Sequence, residues 1–201
     1  GALLPPKVDE MTRYTLETEG QSPLAVVVSC SDSRVPPEII FNQGLGDLFV
    51  VRVAGNIVNA ENLASIEYAV GHLKAPLIVV LGHTHCGAIK AAVSGEHLEG
   101  HLPHLVAHIE PVIRHLRHTH PHLKGDALIE RVTQENVRHT IRAILERSEI
   151  VRKQYEEGKV QFAGGVYHLR EGKVEWLKLP EDIESGAPAG KSAKEASHVG
   201  H

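Results

Sequence analysis

Cys30, Asp32 and Arg34 occupy alternate positions in VVVSCSDSRVPPE, residues 26–38, where an apolar run gives way to polar residues. At the end of a strand, that spacing points all three side chains to one side of the backbone. A thiol, a carboxylate and a guanidinium gathered there suggest chemistry rather than packing. A second stretch, LGHTHCGAIK at 81–90, supplies His83 and Cys86 three residues apart. Cys30, His83 and Cys86 together offer two thiolates and one imidazole, a catalytic-type zinc set that leaves a fourth position open. Soft thiolates with imidazole favour zinc over magnesium or calcium. Asp32 is the natural neighbour of the fourth position, and Arg34 the natural partner of Asp32. His85 competes with His83 as a ligand on spacing alone. The bland alternative, two buried thiols and a capping histidine, suits either stretch alone better than both together.

These residues need elements to place them. LAVVVS (24–29), DLFVVRV (47–53) and PLIVVLG (76–82) are short and continuously apolar. Such runs suit strands buried on both faces of a parallel sheet. Between the second and third, Asn59 reads as an N-cap, followed by Leu63, Ile66, Ala69, Val70 and Leu73 at helical spacing. Strand, helix and strand make a right-handed crossover. GAIKAAVSG reads as a helix that begins at Cys86 and ends at Gly95, and residues 102–157 read as largely helical. KVQFAGGVYHL and GKVEWLKL flank the turn REGK and predict a strand pair. The expected fold is α/β, with a mainly parallel central sheet of four to five strands and helices on both faces. In such sheets ligands bind at the carboxyl ends of the strands, which is where both cysteines fall.

The 201 residues suit one domain over 1–183, and the small, polar tail from 184 to 201 reads as disordered. A net charge of −4 with scattered lysines and arginines argues against nucleic acid or an anionic membrane as partner. No apolar run approaches the roughly 18 residues of a membrane span. No secretory signal is visible, so the expected location is the cytoplasm, with room for an address removed before GALLPPKVDE. Two cysteines could form one disulfide, but each follows an apolar run and stands among ligand-type residues, so a shared metal is the better reading. Histidines 97, 101, 104, 108, 115, 118, 120 and 122 invite a proton-shuttle reading. Spread along loop and helix, they read better as a solvated face, able to bind metal adventitiously.

CSDSRVPPE followed some fifty residues later by GHTHCGAIKAAV resembles the β-class carbonic anhydrases. The resemblance extends through GQSP, LFVVRVAGNIV and SIEYAVGHL and covers roughly residues 15–180. It implies one Zn2+ per subunit on Cys30, His83 and Cys86, with Asp32 and Arg34 as a hydrogen-bonded dyad. It also implies a homodimer or higher homo-oligomer with the active site at the subunit interface. Members of the family usually begin with an additional helix, and GALLPPKVDEMTRYTLETEG covers only what normally follows it.

The implied reaction is the reversible hydration of carbon dioxide to bicarbonate and a proton by a zinc-bound hydroxide, because zinc lowers the pKa of bound water to about 7. Asp32 would accept a hydrogen bond from that hydroxide, and would become a fourth ligand only in a closed state. Gln21 matches the glutamine of open-site members and would donate to a substrate oxygen. Phe49, Ala54 and Tyr68 match positions lining an apolar pocket, part of it from the neighbouring subunit. Gly55 and Gly87 would allow close backbone approach near the metal, or serve as plain turn residues. Two rivals share these residues. One is a hydrolase of carbon disulfide or carbonyl sulfide on the same scaffold, and the other a non-catalytic zinc protein that binds bicarbonate. Asp32, Arg34 and Gln21 together weigh against the second. A redox dithiol protein is weakened by the lack of a CxxC pair.

Overall fold

The three apolar runs form adjacent parallel strands. The computed structural model describes residues 8–184. Helix α1 (Glu10–Glu19) precedes β1 (Ala25–Ser29), the short α2 (Pro37–Ile40) and β2 (Leu48–Arg52). A 3₁₀ turn at Ala54–Asn56 leads to α3 (Ala60–Gly71) and β3 (Leu77–His83). Four helices follow: α4 (Gly87–Ser94), α5 (Leu102–Ala107), α6 (Glu110–Thr119) and the long α7 (Gly125–Arg147). The described chain closes with α8 (Glu149–Glu156), β4 (Gln161–His168), β5 (Lys173–Trp176) and α9 (Glu181–Glu184). Apart from Glu184, the expected disordered tail lies outside the described residues.

The strand order is β2-β1-β3-β4-β5. The first four strands are parallel, and β5 is antiparallel to β4. The pair β4–β5 is the one expected around REGK, with the amide of Gly172 donating to the His168 carbonyl at 2.8 Å. Asn59 caps α3 as its sequence predicts. Its side chain accepts from the Asn62 amide at 2.9 Å, while the Asn62 side chain accepts from the Asn59 amide at 3.2 Å. That reciprocal pair satisfies two amides the helix cannot bond internally. The strand alternation sorts the core into two faces. Val26, Val28, Ile78 and Val80 pack with Ile66 of α3, Val137, Ile141 and Ile144 of α7, and Val151 of α8. Ala25, Val27, Val79 and Leu81 form a smaller cluster on the other face, against Ile40 and Phe41.

Helix α1 had no counterpart in the sequence reading. Asp9 caps it, accepting from the Thr12 amide at 2.9 Å, yet it buries none of its residues, and Met11 and Tyr14 are exposed. Its existence rests on local capping rather than on a core, which is why apolar periodicity did not reveal it.

Candidate metal centre

The register brings the two cysteine loops together. Neighbouring β1 and β3 run parallel with Ser29 opposite Leu81, so their chains leave the sheet at the same edge. Cys30 follows β1 directly, His83 ends β3, and Cys86 is the N-cap of α4. Their ligand atoms lie within 4.8 Å of one another, and this is the only such group of three His, Cys, Asp or Glu donors among the described residues. All three are buried, with exposures of 4%, 1% and 1%. The turn between His83 and Cys86 resolves the choice between the histidines. His85 takes a left-handed φ of 56° and is exposed, its Nδ1 3.4 Å from the Lys90 Nζ, outside the cluster.

His83 offers a buried nitrogen without a partner. Its Nδ1 lies 2.9 Å from the Thr84 carbonyl. A carbonyl only accepts, so Nδ1 carries the proton and Nε2 presents a lone pair. That Nε2 is buried and has no hydrogen-bond partner. A buried polar atom left without a partner is costly, and a metal ion between it and the two sulfurs removes the cost. The donor set therefore fits zinc.

The sulfurs are unequal. The Cys30 thiol is drawn down to about 4, chiefly because Cys86 donates to it, with the Gly55 amide adding to the effect. The Gly55 N–H donates to the Cys30 Sγ at 3.2 Å. The Cys86 thiol is pushed up by holding the proton shared with Cys30 and by burial, against the pull of the Ala88 and Ile89 amides at the start of α4. Metal binding needs both thiols deprotonated, so zinc affinity should rise with pH. Competition with a chelator at several pH values measures this, and a pH-independent affinity would contradict thiolate ligation.

Asp32 and Arg34 form a forked ion pair. The Arg34 Nε donates to the Asp32 Oδ1 at 2.9 Å and its Nη2 to Oδ2 at 2.7 Å, while the Arg34 amide also donates to Oδ1 at 2.9 Å. This holds the Asp32 carboxyl well below the usual carboxylate range. Oδ2 lies 3.8 Å from the His83 Nε2, so the carboxylate borders the ligand cluster. Arg34 also reaches the His85 carbonyl at 3.3 Å and so ties the first loop to the second.

Three supporting residues escaped the sequence reading. Arg52, at the end of β2 and opposite Ser29, donates from Nε to the Cys30 carbonyl at 2.8 Å and from Nη2 to the Asp32 carbonyl at 2.6 Å. From α7, the Asn136 Nδ2 donates to the Gly55 carbonyl at 2.8 Å, and the Thr140 Oγ1 to the Asn56 carbonyl at 3.0 Å. Gly55 itself takes φ 74°, and a Cβ there would stand 3.1 Å from both the Ala88 Cβ and the Ile109 Cδ1. Its N–H lies against the Cys30 sulfur, and the left-handed φ with these short distances favours glycine at this position. An Arg52→Ala variant should lose about 2 kcal/mol of stability, the scale of a hydrogen bond from a charged donor, and bind zinc more weakly. Thermal melting and competition with a chelator test this, and unchanged values of both would show that Arg52 does not hold the loop.

The remaining candidates sit apart from the cluster or beside it. Ala54 is half-buried next to Gly55, and Gly87 opens α4 beside Cys86 with nothing within 4 Å of where its Cβ would be. Phe49 and Tyr68 meet each other at 6.1 Å between ring centroids. Phe49 pairs in register with Val26, four residues before Cys30, and packs on the α3 side of the sheet. That separation is about 13 Å of strand, so one chain does not bring these rings to its own cysteines. Gln21 is exposed in the segment before β1.

The same arrangement of sheet and loops is found in known proteins. A family profile described as carbonic anhydrase matches residues 25–174. The carbonic anhydrase of Mycolicibacterium smegmatis is 42% identical over 170 residues, 83% of this chain and 80% of that protein. Carbonic anhydrase 2 of Mycobacterium tuberculosis is 40% identical over 159 residues, 77% of this chain and 74% of that one. A solved structure from work on two tetrameric β-carbonic anhydrases of Sordaria macrospora matches with a TM-score of 0.76 at 28% identity, covering 84% of this chain and 87% of that one. The Coccomyxa β-carbonic anhydrase in complex with acetazolamide matches with a TM-score of 0.76 at 29% identity, covering 84% and 78%. With the profile spanning most of the chain and the relatives agreeing in sequence and fold, the chain belongs to the β class of the carbonic anhydrases, enzymes of carbon dioxide hydration.

Proposed function

We propose that this chain is a zinc-dependent lyase that interconverts carbon dioxide and bicarbonate, with one Zn2+ per subunit held by Cys30, His83 and Cys86. The observation that carries the reading is the unpartnered, buried Nε2 of His83 facing two thiols beside an ionised, forked Asp32. When bound, zinc supplies Lewis-acid activation of water near neutral pH. The chain's own residues do the rest. Asp32 is the ionised hydrogen-bond acceptor that orients water through Oδ2. Arg34 keeps both carboxylate oxygens occupied, which holds Asp32 off the metal and favours the open site. Arg52 fixes the backbone from which Cys30 and Asp32 project.

The reading includes a homo-oligomer, at least a dimer. Helix α1 has no fully buried residue, and Met11, Tyr14, Leu24, Ile39 and Tyr68 are left exposed. Gln21, Phe49 and Tyr68, far from their own cysteines, would then serve a neighbouring subunit's pocket. In that pocket the Gln21 amide donates to an oxygen of carbon dioxide or bicarbonate, and the two rings give the apolar substrate a dry wall. A Gln21→Ala variant should lose about tenfold or more in kcat/KM with its zinc intact, as expected for a donor to developing charge. An undiminished kcat/KM would remove Gln21 from the reaction. No helix among the described residues is long and apolar enough to cross a membrane. Two free, buried thiols as ligands suit a reducing compartment such as the cytoplasm. The alternative substrates carbon disulfide and carbonyl sulfide are assayed on the same preparation, and faster turnover of either would displace carbon dioxide as the substrate.

A further inference from the structure

The histidine-rich segment lies outside the residues assigned to the reaction above. Nine of the fifteen histidines fall between His97 and His139, and the fold gives them different surroundings. His108 and His139 are half-buried, and burial depresses the pKa of both. His101 and His104 are exposed. His101 is the N-cap residue of α5 with helical dihedrals, and His104 follows one turn later. Side chains three apart on a helix are neighbours on one face. Here the two rings lie 6.3 Å apart between centroids, with planes inclined by 32°. Among the described residues neither ring makes a hydrogen bond or an ion pair. The six positions 96–101 also contain Glu96, His97 and Glu99.

Two unpartnered imidazoles on one helical face gain little from each other in water. A borderline divalent ion gains from both, because imidazole nitrogen suits zinc, nickel and copper, and metal–nitrogen bonds of about 2.0–2.1 Å lie within reach of two exposed, rotatable rings. The histidine pair at 120 and 122 is less free. Its centroids are 6.0 Å apart, but the His120 Nδ1 is already engaged with the Thr119 hydroxyl at 2.8 Å.

We propose that His101 and His104 form a second metal site, a surface two-imidazole chelate for Zn2+ or Ni2+ with water in the remaining positions. The site is weaker than the buried one. It offers two neutral nitrogens and no thiolate, whereas the one three-donor cluster among the described residues is Cys30, His83 and Cys86. It therefore fills second, and a chain given excess zinc carries more than one ion, the outer one removed by a mild chelator. Only the order of filling rests on the zinc reading of the buried cluster; the two-imidazole site itself does not, so its loss on mutation is judged separately.

The test is calorimetric titration of Ni2+ into the full, zinc-loaded enzyme at pH 7.5, with carbon dioxide hydration followed in parallel. Wild type should bind at least one Ni2+ per chain that H101A/H104A binds at least about tenfold more weakly, since disturbing even the outer shell of a metal-bound histidine costs about 10–100-fold. H104A alone should behave like the double variant, while H108A and H120A/H122A should retain the site. Basal hydration by H101A/H104A without added Ni2+ should equal that of wild type. Identical Ni2+ binding by wild type and H101A/H104A, including no binding by either, would overturn the proposal. Loss of the site in H108A would also overturn it, by moving the chelate to His104 and His108.

Discussion

Replacing Cys86 with serine should yield a folded protein that holds no stoichiometric zinc and hydrates carbon dioxide at the uncatalysed rate. The expectation follows from how the ligand cluster is built. Cys86 is 1% exposed at the start of α4, and its thiol holds the proton shared with Cys30. A serine hydroxyl keeps the shape but is not ionised near neutral pH, so the set falls from two thiolates and an imidazole to one thiolate and an imidazole. Zinc prefers the softer and more charged set. Apparent binding energies for full zinc sites are about 10–16 kcal/mol, so losing one thiolate removes several kcal/mol, enough to empty the site at ordinary zinc concentrations. The variant should also melt lower than zinc-loaded wild type, because an ion that binds only the folded state stabilises it. Zinc analysis with stopped-flow hydration checks both parts. Wild-type turnover from a zinc-free C86S protein would refute the assigned ligand set.

Asp32→Asn should have the second-largest effect and a different signature, with zinc retained and kcat/KM lowered by about 10²–10³-fold. General acid–base and orienting contributions typically fall in the range of about 10²–10⁴. Asparagine has one acceptor oxygen and an NH₂ that Arg34 cannot donate to, so the fork breaks and the full negative charge beside His83 disappears. The sign of the pH dependence follows from the lowered carboxyl. Asp32 in the fold titrates below its ordinary value of about 3.9. The pair with Arg34 therefore stabilises the fold above that pH, and the contribution fades as the pH falls toward the lowered value. Asp32 stays ionised across the working range of the enzyme, and the wild-type pH profile should show no inflection from it above about pH 5. An Asn variant within twofold of wild type would show that the dyad is only a strand-end ion pair. Zinc analysis of the same sample separates this outcome from loss of the metal.

Much of this was legible in the sequence, for identifiable physical reasons. Strands buried on both faces must be apolar throughout, so LAVVVS, DLFVVRV and PLIVVLG announce themselves. Asn59 and Gly95 mark helix ends by their chemistry, and the structure uses both, Gly95 in the left-handed conformation at the end of α4. Cys30, Asp32 and Arg34 do gather as their spacing suggested, but not by strand alternation: β1 ends at Ser29, and Arg34 meets Asp32 by folding back through a turn at 33–34. The choice between His83 and His85 was not legible, since it depends on a left-handed turn at a non-glycine residue. Arg52 looks like a polar strand end until the register sets it beside Ser29 and the Cys30 carbonyl. Asn136 and Thr140 act on residues more than eighty positions away, and no local pattern signals that. Phe49 and Tyr68 read as pocket residues by resemblance, but only the register reveals that they stand at the opposite end of the sheet from their own cysteines.

The most direct test of the account is stopped-flow carbon dioxide hydration by protein of measured zinc content, before and after chelator treatment and after zinc is restored. The account predicts fast turnover in proportion to zinc at one ion per active chain, lost on stripping and regained on reloading. Turnover that survives complete removal of zinc, or full zinc occupancy without turnover, would contradict it.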